Sequence, residues 1–182
     1  MSRTISPIPY VAFLRGINVG GHHKIPMLDL KKMFEKIGML DVHTVLASGN
    51  VLFKTSDEEP KKLQSKVERS LESSLGYPVT VIIRSQEQIQ DLVKRQPFAD
   101  IKTDENTRLY ISFLLVPSPT LLQIESDYFQ IISTSDTEVC SVLQLNPKMG
   151  STDGMNILEK HYGREITTRN WNTVVKIANL LK

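Results

Sequence analysis

Tyr10-Val11-Ala12-Phe13-Leu14-Arg15-Gly16-Ile17-Asn18-Val19-Gly20-Gly21 is the stretch on which the reading of the fold turns. Its first five residues are apolar with almost no alternation, the pattern of a strand covered on both faces. The strand runs into a positive charge, an amide and three glycines. Glycine opens left-handed backbone and lets a neighbour approach closely. Arginine presents a planar fork of donors. The stretch reads as a strand that delivers a loop shaped to hold something anionic.

Working outward, Pro26 suits the first turn of a helix. Leu30, Met33, Phe34 and Ile37 follow at helical spacing, and Gly38 is a C-terminal stop. Residues 42–46 and 51–54 read as strands around an Ala47-Ser48-Gly49-Asn50 turn. Ser56-Asp57-Glu58-Glu59 has capping-box spacing and an acidic first turn. Leu63, Val67, Leu71 and Leu75 line one face of the helix behind it, Gly76 closes that helix, and residues 79–83 form a fourth strand. The order β-α-β-β-α-β is the ferredoxin-like split unit.

Further on, the pattern predicts a connecting helix over 85–96, a strand over 108–116 and a short helix over 121–125. A hairpin of 129–133 and 138–145 turns at Ser135-Asp136, and helices over 155–162 and 170–181 finish the chain. The second half repeats the element order as β-α-β-β-α with an added helix, without a repeat of sequence. The fold class is α+β: two ferredoxin-like (βαββαβ-type) halves with antiparallel or mixed sheets and a C-terminal helix. The N-terminal half spans 1–84, the connecting helix and loop 85–107, and the second half 108–182. Helices are expected on one face of each sheet, with the other half or the connecting helix over much of the second.

The 182 residues include 22 basic and 20 acidic ones, a net charge of +2. That balance gives no overall electrostatic footprint for nucleic acid and leaves only a local patch open. Cys140 is the single cysteine, so no internal disulfide forms, and a reducing, cytoplasmic setting fits. No cationic and apolar leader opens the chain, and no apolar run approaches the ~20 residues of a membrane span.

The topology makes a geometric statement about the first motif. Strands one and two run parallel with strand three between them. The loop from Arg15 to Lys24, the Ser48-Gly49-Asn50 turn, Gly76-Tyr77-Pro78 and the start of the first helix then share one end of the sheet. Arg15, Asn18, Gly20, Gly21, Lys24, Ser48 and Asn50 are the candidate ligand residues there. In the plainer alternative the glycines only make a tight exit and Arg15 pairs with a carboxylate. Thr167-Thr168-Arg169-Asn170-Trp171-Asn172-Thr173-Val174 opens the last helix, capped by Thr167, Thr168 or Asn170. Trp171, Val174, Val175, Ala178 and Leu181 form its apolar stripe; Arg169, Asn172, Thr173 and Lys176 lie opposite. Packing is the leading reading of Trp171, which is expected to be mostly buried. Arg169 and Asn172 are added to the ligand set because an arginine at a helix start suits phosphate or carboxylate.

The remaining candidates fall away. His22 and His23 are adjacent and point apart, and His43 and His161 add no ligand spacing, so no metal site is expected. Cys140 reads as a core thiol. Lys148-Met149-Gly150-Ser151-Thr152-Asp153-Gly154 is a turn before a helix. There is no Walker A loop, and Gly16, Gly20 and Gly21 miss the dinucleotide spacing. Tyr10, Phe13 and Phe53 resemble the aromatic platform of RNA-binding sheets, but without the flanking signature they read as core. No nucleophile–base–acid set stands out, and no cofactor is expected.

The stretches Phe13-Leu14-Arg15-Gly16-Ile17-Asn18-Val19-Gly20-Gly21, Ser48-Gly49-Asn50-Val51 and Thr167 to Val174 together resemble one bacterial family, domain of unknown function 1697. The resemblance runs from about Tyr10 to the end. It implies two ferredoxin-like halves, and it implies no activity, cofactor or partner. Relatives carry a basic Gly-Arg-Ser-Lys-like stretch where this chain has Met149-Gly150-Ser151-Thr152-Asp153, so any role of that stretch with an anion does not carry over. The expected function is a cytoplasmic protein that binds a phosphate-bearing or other anionic ligand, a small molecule or nucleotide, at the Gly/Arg/Asn loop. Nucleic acid is a weaker candidate partner, and no membrane is involved. The alternatives are an enzyme acting on such a ligand and a non-catalytic protein-interaction module.

Overall fold

The structure, a computed structural model, describes residues 6–19, 24–56, 59–118, 124, 126–146 and 151–181, with the backbone alone for 151–154. The chain forms two compact units, Met1–Gln90 with Ile177–Lys182, and Asp91–Lys176.

The first unit contains β1 (Ile8–Leu14), α1 (Met27–Lys36), β2 (Leu40–Val45), β3 (Asn50–Thr55), α2 (Pro60–Leu75), β4 (Val81–Ser85) and the start of α3 (Gln86–Lys94). Its sheet has the order β2-β3-β1-β4 with every neighbouring pair antiparallel, so β1 and β2 run parallel with β3 between them. Strand alternation sends Tyr10, Ala12 and Leu14 to one face, where they meet Val51, Phe53, Val81 and Ile83 of the neighbouring strands. Leu30 and Phe34 of α1 and Leu63, Val67 and Leu71 of α2 close over that face. Each such buried side chain contributes about 1.5–3 kcal/mol relative to exposure. The other face carries Val11, Phe13, Leu52 and Ile82, and these are buried too. β1 is thus covered on both faces.

The expected capping box at Ser56 does not form. α2 starts later, with Pro60 in its first turn and Glu59 as the N-cap, and no side chain caps it. Pro60 suits the first helical position, where the N–H it lacks has no partner within the helix. Asp57 and Glu58 lie outside the described residues. Gly76 ends α2 in the left-handed conformation, φ +79°, with its N–H donating to Glu72 O.

The second unit contains β5 (Thr107–Leu114), β6 (Phe129–Thr134), β7 (Glu138–Gln144), α4 (Ser151–Tyr162), β8 (Ile166–Asn170) and the start of α5 (Trp171–Leu180). Its sheet order is β6-β7-β5-β8, again wholly antiparallel. Each strand occupies the place of the strand four earlier in the chain. β8 corrects the sequence reading, which takes Thr167 and Thr168 as possible caps of a last helix over 170–181 and places no strand there. Ile166, Thr167 and Thr168 are β-branched and pair with Leu114, Phe113 and Ser112, while Asn170 caps α5 through the Asn172 N–H at 2.9 Å. The second unit therefore completes its own split unit. The short helix expected at 121–125, apart from Ile124, and residues 148–150 of the expected 148–154 turn fall outside the described residues, while 151–154 are helical because α4 begins at Ser151 rather than 155.

A sequence repeat is present after all. Tyr110-Ile111-Ser112-Phe113-Leu114 stands in β5 where Tyr10-Val11-Ala12-Phe13-Leu14 stands in β1. Tyr10 lies opposite Phe53 and Ser85, and Tyr110 lies opposite Ser141 and Asn170. Among the described residues no helix is long and apolar enough to cross a membrane.

Candidate functional site

The loop after β1 is tied to its surroundings by backbone bonds on two sides. Leu14 N–H donates to Gly49 O at 2.8 Å, and Arg15 N–H donates to Thr80 O at 2.9 Å. Asn18 sits in the left-handed region, φ +55°. Its side-chain amide donates to Ile25 O at 3.1 Å and Ala47 O at 2.8 Å, and its Oδ1 accepts from Ile25 N–H at 2.7 Å. Ile17 tucks under the neighbouring turn: a Cβ at Gly49, whose φ is +75°, would lie 2.8 Å from the Ile17 side chain. Asn50 is fully buried, with Nδ2 donating to Val45 O at 2.8 Å and Ser48 Oγ at 3.0 Å. Residues 15–18 and 46–50 thus form one strapped body at one end of the first sheet.

At its rim stand Arg15, half-buried, with Lys24 and Ser48 exposed. α1 starts two residues after Ile25, and no side chain caps it. Its first-turn N–H groups carry the positive end of the helix dipole. The described loop segments, 15–19, 24–26 and 46–50, hold a guanidinium, an ammonium, two amides and a hydroxyl, with no carboxylate, imidazole or thiol. Such a set can hold an anion, and it offers no general acid or base near neutral pH.

The structure brings Arg15, Asn18, Lys24, Ser48 and Asn50 to the same end of the first sheet. Gly20 and Gly21, with His22 and His23, lie outside the described residues. Arg169 and Asn172 belong to the second unit. Arg169 is on β8 rather than on the polar face of α5, because its strand continues to Asn170. It is buried and donates to Thr167 Oγ1 at 2.8 Å and Thr168 O at 2.9 Å. Burial pulls its pKa down to about 10, so it stays protonated at neutral pH. Arg84 repeats the position on β4, buried and donating to Ile83 O at 2.9 Å. Each arginine precedes a helix cap. Ser85 caps α3 in a capping box with Gln88, which the sequence reading passed over although Ser85-Gln86-Glu87-Gln88 carries its spacing.

Trp171 is half-buried rather than in the core. Its ring meets Phe98 edge-on at 5.4 Å and lines a cavity of about 320 Å³ with Leu109, Val175 and Gln96. Tyr10 stacks on Phe53 at 6.0 Å, which makes the aromatic group of the first sheet part of the core. Cys140 is buried, and burial pushes its thiol up, away from the reactive thiolate. Among the described residues no group of His, Cys, Asp and Glu is placed to hold a metal ion.

One cluster escaped the sequence reading. Asp41, at φ +48° in a bulge of β2, receives a hydrogen bond from Lys54 Nζ at 2.7 Å. That bond holds the Asp41 carboxyl below its usual range. Together with His43 the pair borders a cavity of about 210 Å³ walled by Leu52, Leu180 and Leu181. The bulge that assembles it depends on strand register, which the sequence does not display.

The fold is similar to that of a solved structure, the conserved bacterial protein SP0830 from Streptococcus pneumoniae, with a TM-score of 0.76 at 21% identity. The likeness covers 97% of this chain and 100% of that one, and at this identity it speaks to the fold alone. No curated protein matches the chain. The family model described as protein of unknown function (DUF1697) matches residues 8–142, which takes in the strapped loop, the whole first sheet and the second sheet up to β7, and the chain belongs to that family.

Proposed function

We propose that the strapped loop of the first unit holds the anionic group of a small molecule or nucleotide. The observation that carries this reading is the triple hydrogen bonding of the Asn18 side chain to Ile25 and Ala47. It fixes the loop before any ligand arrives, which lowers the ordering cost of binding. Asn18 and Asn50 act as scaffold. Arg15, Lys24 and Ser48 supply the contacts, and Gly20 and Gly21 let the ligand approach the backbone. Arg169 and Asn172 are candidates for an anionic ligand in the second unit, taken by itself. A cytoplasmic setting belongs to the same proposal, since the one cysteine is a buried thiol.

The test is thermal unfolding with phosphate, sulfate and nucleotide. A ligand selective for the folded state raises the melting temperature by mass action. The rise is expected in the parent and lost in Arg15→Ala and Lys24→Ala at the same dose. Equal rises in all three proteins would remove the loop as the site. A second reading, a protein-interaction surface, is favoured by the exposed Val19, Leu28 and Leu46, which flank the same loop at 65%, 62% and 50% exposure. It replaces the first if no anion shifts the parent at millimolar dose.

A further inference from the structure

We propose that the face of the second sheet that meets α4 is a binding site for a small phosphorylated polyol, formed by Arg108, Tyr110, Ser112, Ser141, Thr168 and Asn170. Register puts these side chains on one face. Tyr110 lies opposite Ser141 on β7 and Asn170 on β8, Ser112 lies opposite Thr168, and Arg108 precedes Tyr110 by two residues. Tyr110 packs beside the cluster that contains Leu158 of α4.

The repeat gives each position a counterpart in the first sheet. Arg108 stands where Ile8 stands, Ser112 where Ala12 stands, Ser141 where Phe53 stands and Thr168 where Ile83 stands. Asn170 stands where Ser85 stands, and both cap a helix, but the centre of the first unit's face is apolar and filled, with Phe53 stacked on Tyr10. In the second unit a hydroxymethyl group replaces that phenyl ring beside Tyr110. The Ser141 hydroxyl is fully buried and has no hydrogen-bond partner among the described residues. Folding alone does not favour such a group, since a buried unpaired hydroxyl is destabilising. A ligand that reaches it supplies the missing bond.

The chemistry of the strip selects the ligand class. Ser112 Oγ and Thr168 Oγ1 lie 2.7 Å apart in a hydrogen bond. Hydroxyls and the Asn170 amide both donate and accept, which matches a polyol. Arg108 is the one charged member. Its Nη1 donates to Glu105 O at 2.7 Å and Thr107 O at 3.0 Å, which anchors the guanidinium beside Tyr110. A cation without a carboxylate in the strip matches a phosphate. Arg108, Tyr110, Thr168 and Asn170 are half-buried, so the strip reaches solvent along them, while Ser112 and Ser141 form its buried floor.

The experiment compares glycerol phosphate, inorganic phosphate and glycerol as probes, read by thermal unfolding and calorimetric titration. Glycerol phosphate is expected to raise the melting temperature of the parent more than either fragment at equal millimolar dose. Ser141→Ala is expected to leave the ligand-free melting temperature unchanged or higher and to weaken binding about tenfold. Tyr110→Phe, nearer the surface, is expected to weaken binding as well, and Arg15→Ala to leave it intact. The proposal is overturned if the parent shows no shift beyond that of inorganic phosphate, or if both variants bind as the parent does. It is also overturned if Ser141→Ala loses several degrees without ligand, since the hydroxyl would then be paired within the fold.

Discussion

The two units share one strand order and a five-residue repeat, yet they close their hairpins and fill their cores with different chemistry. In the first unit the turn between β2 and β3 uses Gly49 in the left-handed region and the buried Asn50 amide. In the second, the turn between β6 and β7 uses Ser135, whose Oγ accepts from the N–H groups of Thr137 and Glu138 at 3.2 and 3.1 Å. Asn50 lies opposite Phe13, and Glu138 takes the same place opposite Phe113. Under the helices the first sheet presents Tyr10, Ala12, Phe53 and Ile83, and the second presents Tyr110, Ser112, Ser141 and Thr168. A repeated backbone does not impose a repeated interior. One copy keeps the centre of this face apolar, with Thr55 and Ser85 only toward its end, and the other carries polar groups at its centre, of which the Ser141 hydroxyl is left unmatched among the described residues.

Exchanging the core residue tests this contrast most severely. Phe53→Ser places the second unit's residue in the first, and it is expected to cost about 3–5 kcal/mol in urea unfolding, the range for a large core truncation. A loss below about 1 kcal/mol, far under that range, would mean the two faces are interchangeable. Next in size is Trp171→Ala. Trp171 follows the cap of α5 as Gln86 follows the cap of α3, and it is half-buried. The expected cost is about 2 kcal/mol, below the core range because part of the ring already meets water. An unchanged unfolding midpoint would show that its edge-on contact with Phe98 adds no stability.

The turn glycines come third. Gly49→Ala meets Ile17 at 2.8 Å and Leu14 Cβ at 3.1 Å as well as an unfavourable φ, whereas Gly16→Ala at φ +72° meets nothing within 4 Å. Gly49→Ala is expected to cost about 2 kcal/mol and Gly16→Ala about 1 kcal/mol. Equal costs would show that Ile17 yields and that the strap is looser than its hydrogen bonds imply. The smallest effect is confined to acid. Burial acts to raise the Glu138 pKa, but hydrogen bonds involving Thr137, Arg95 and Ser135 outweigh it and hold the carboxyl below its ordinary 4.5. Glu138 therefore contributes stability that is complete above the unfolded value and fades as pH falls through the lower folded value. Glu138→Gln is expected to flatten the stability profile in that acid window, and Asn50→Ala to leave its slope unchanged. An identical acid slope in parent and Glu138→Gln would place the pH dependence elsewhere.

The first unit was legible because its signals are local. Apolar runs, a glycine stop at Gly38 and the stripe Leu63, Val67, Leu71 identify its elements, and their order yields the topology that brings Arg15 and Asn18 beside Ser48 and Asn50. What the amides do was not legible. All but one of their acceptors are backbone carbonyls, the exception being Ser48 Oγ, and Ala47 is distant in sequence from Asn18. β8 was missed because Thr167 and Thr168 are good caps as well as good strand residues, and the free edge of β5 decides between the two uses. The polar strip appears only once register pairs Tyr110 with Ser141.

An amide NMR titration with inorganic phosphate tests the strapped loop as a ready-made anion site most directly. The expected result is a saturable change at the amides of 15–17, 24 and 27–28 and of the 46–49 turn, with the rest of the first sheet unmoved and the change lost in Arg15→Ala. Saturable changes that leave these amides untouched, or that persist undiminished in Arg15→Ala, would contradict it.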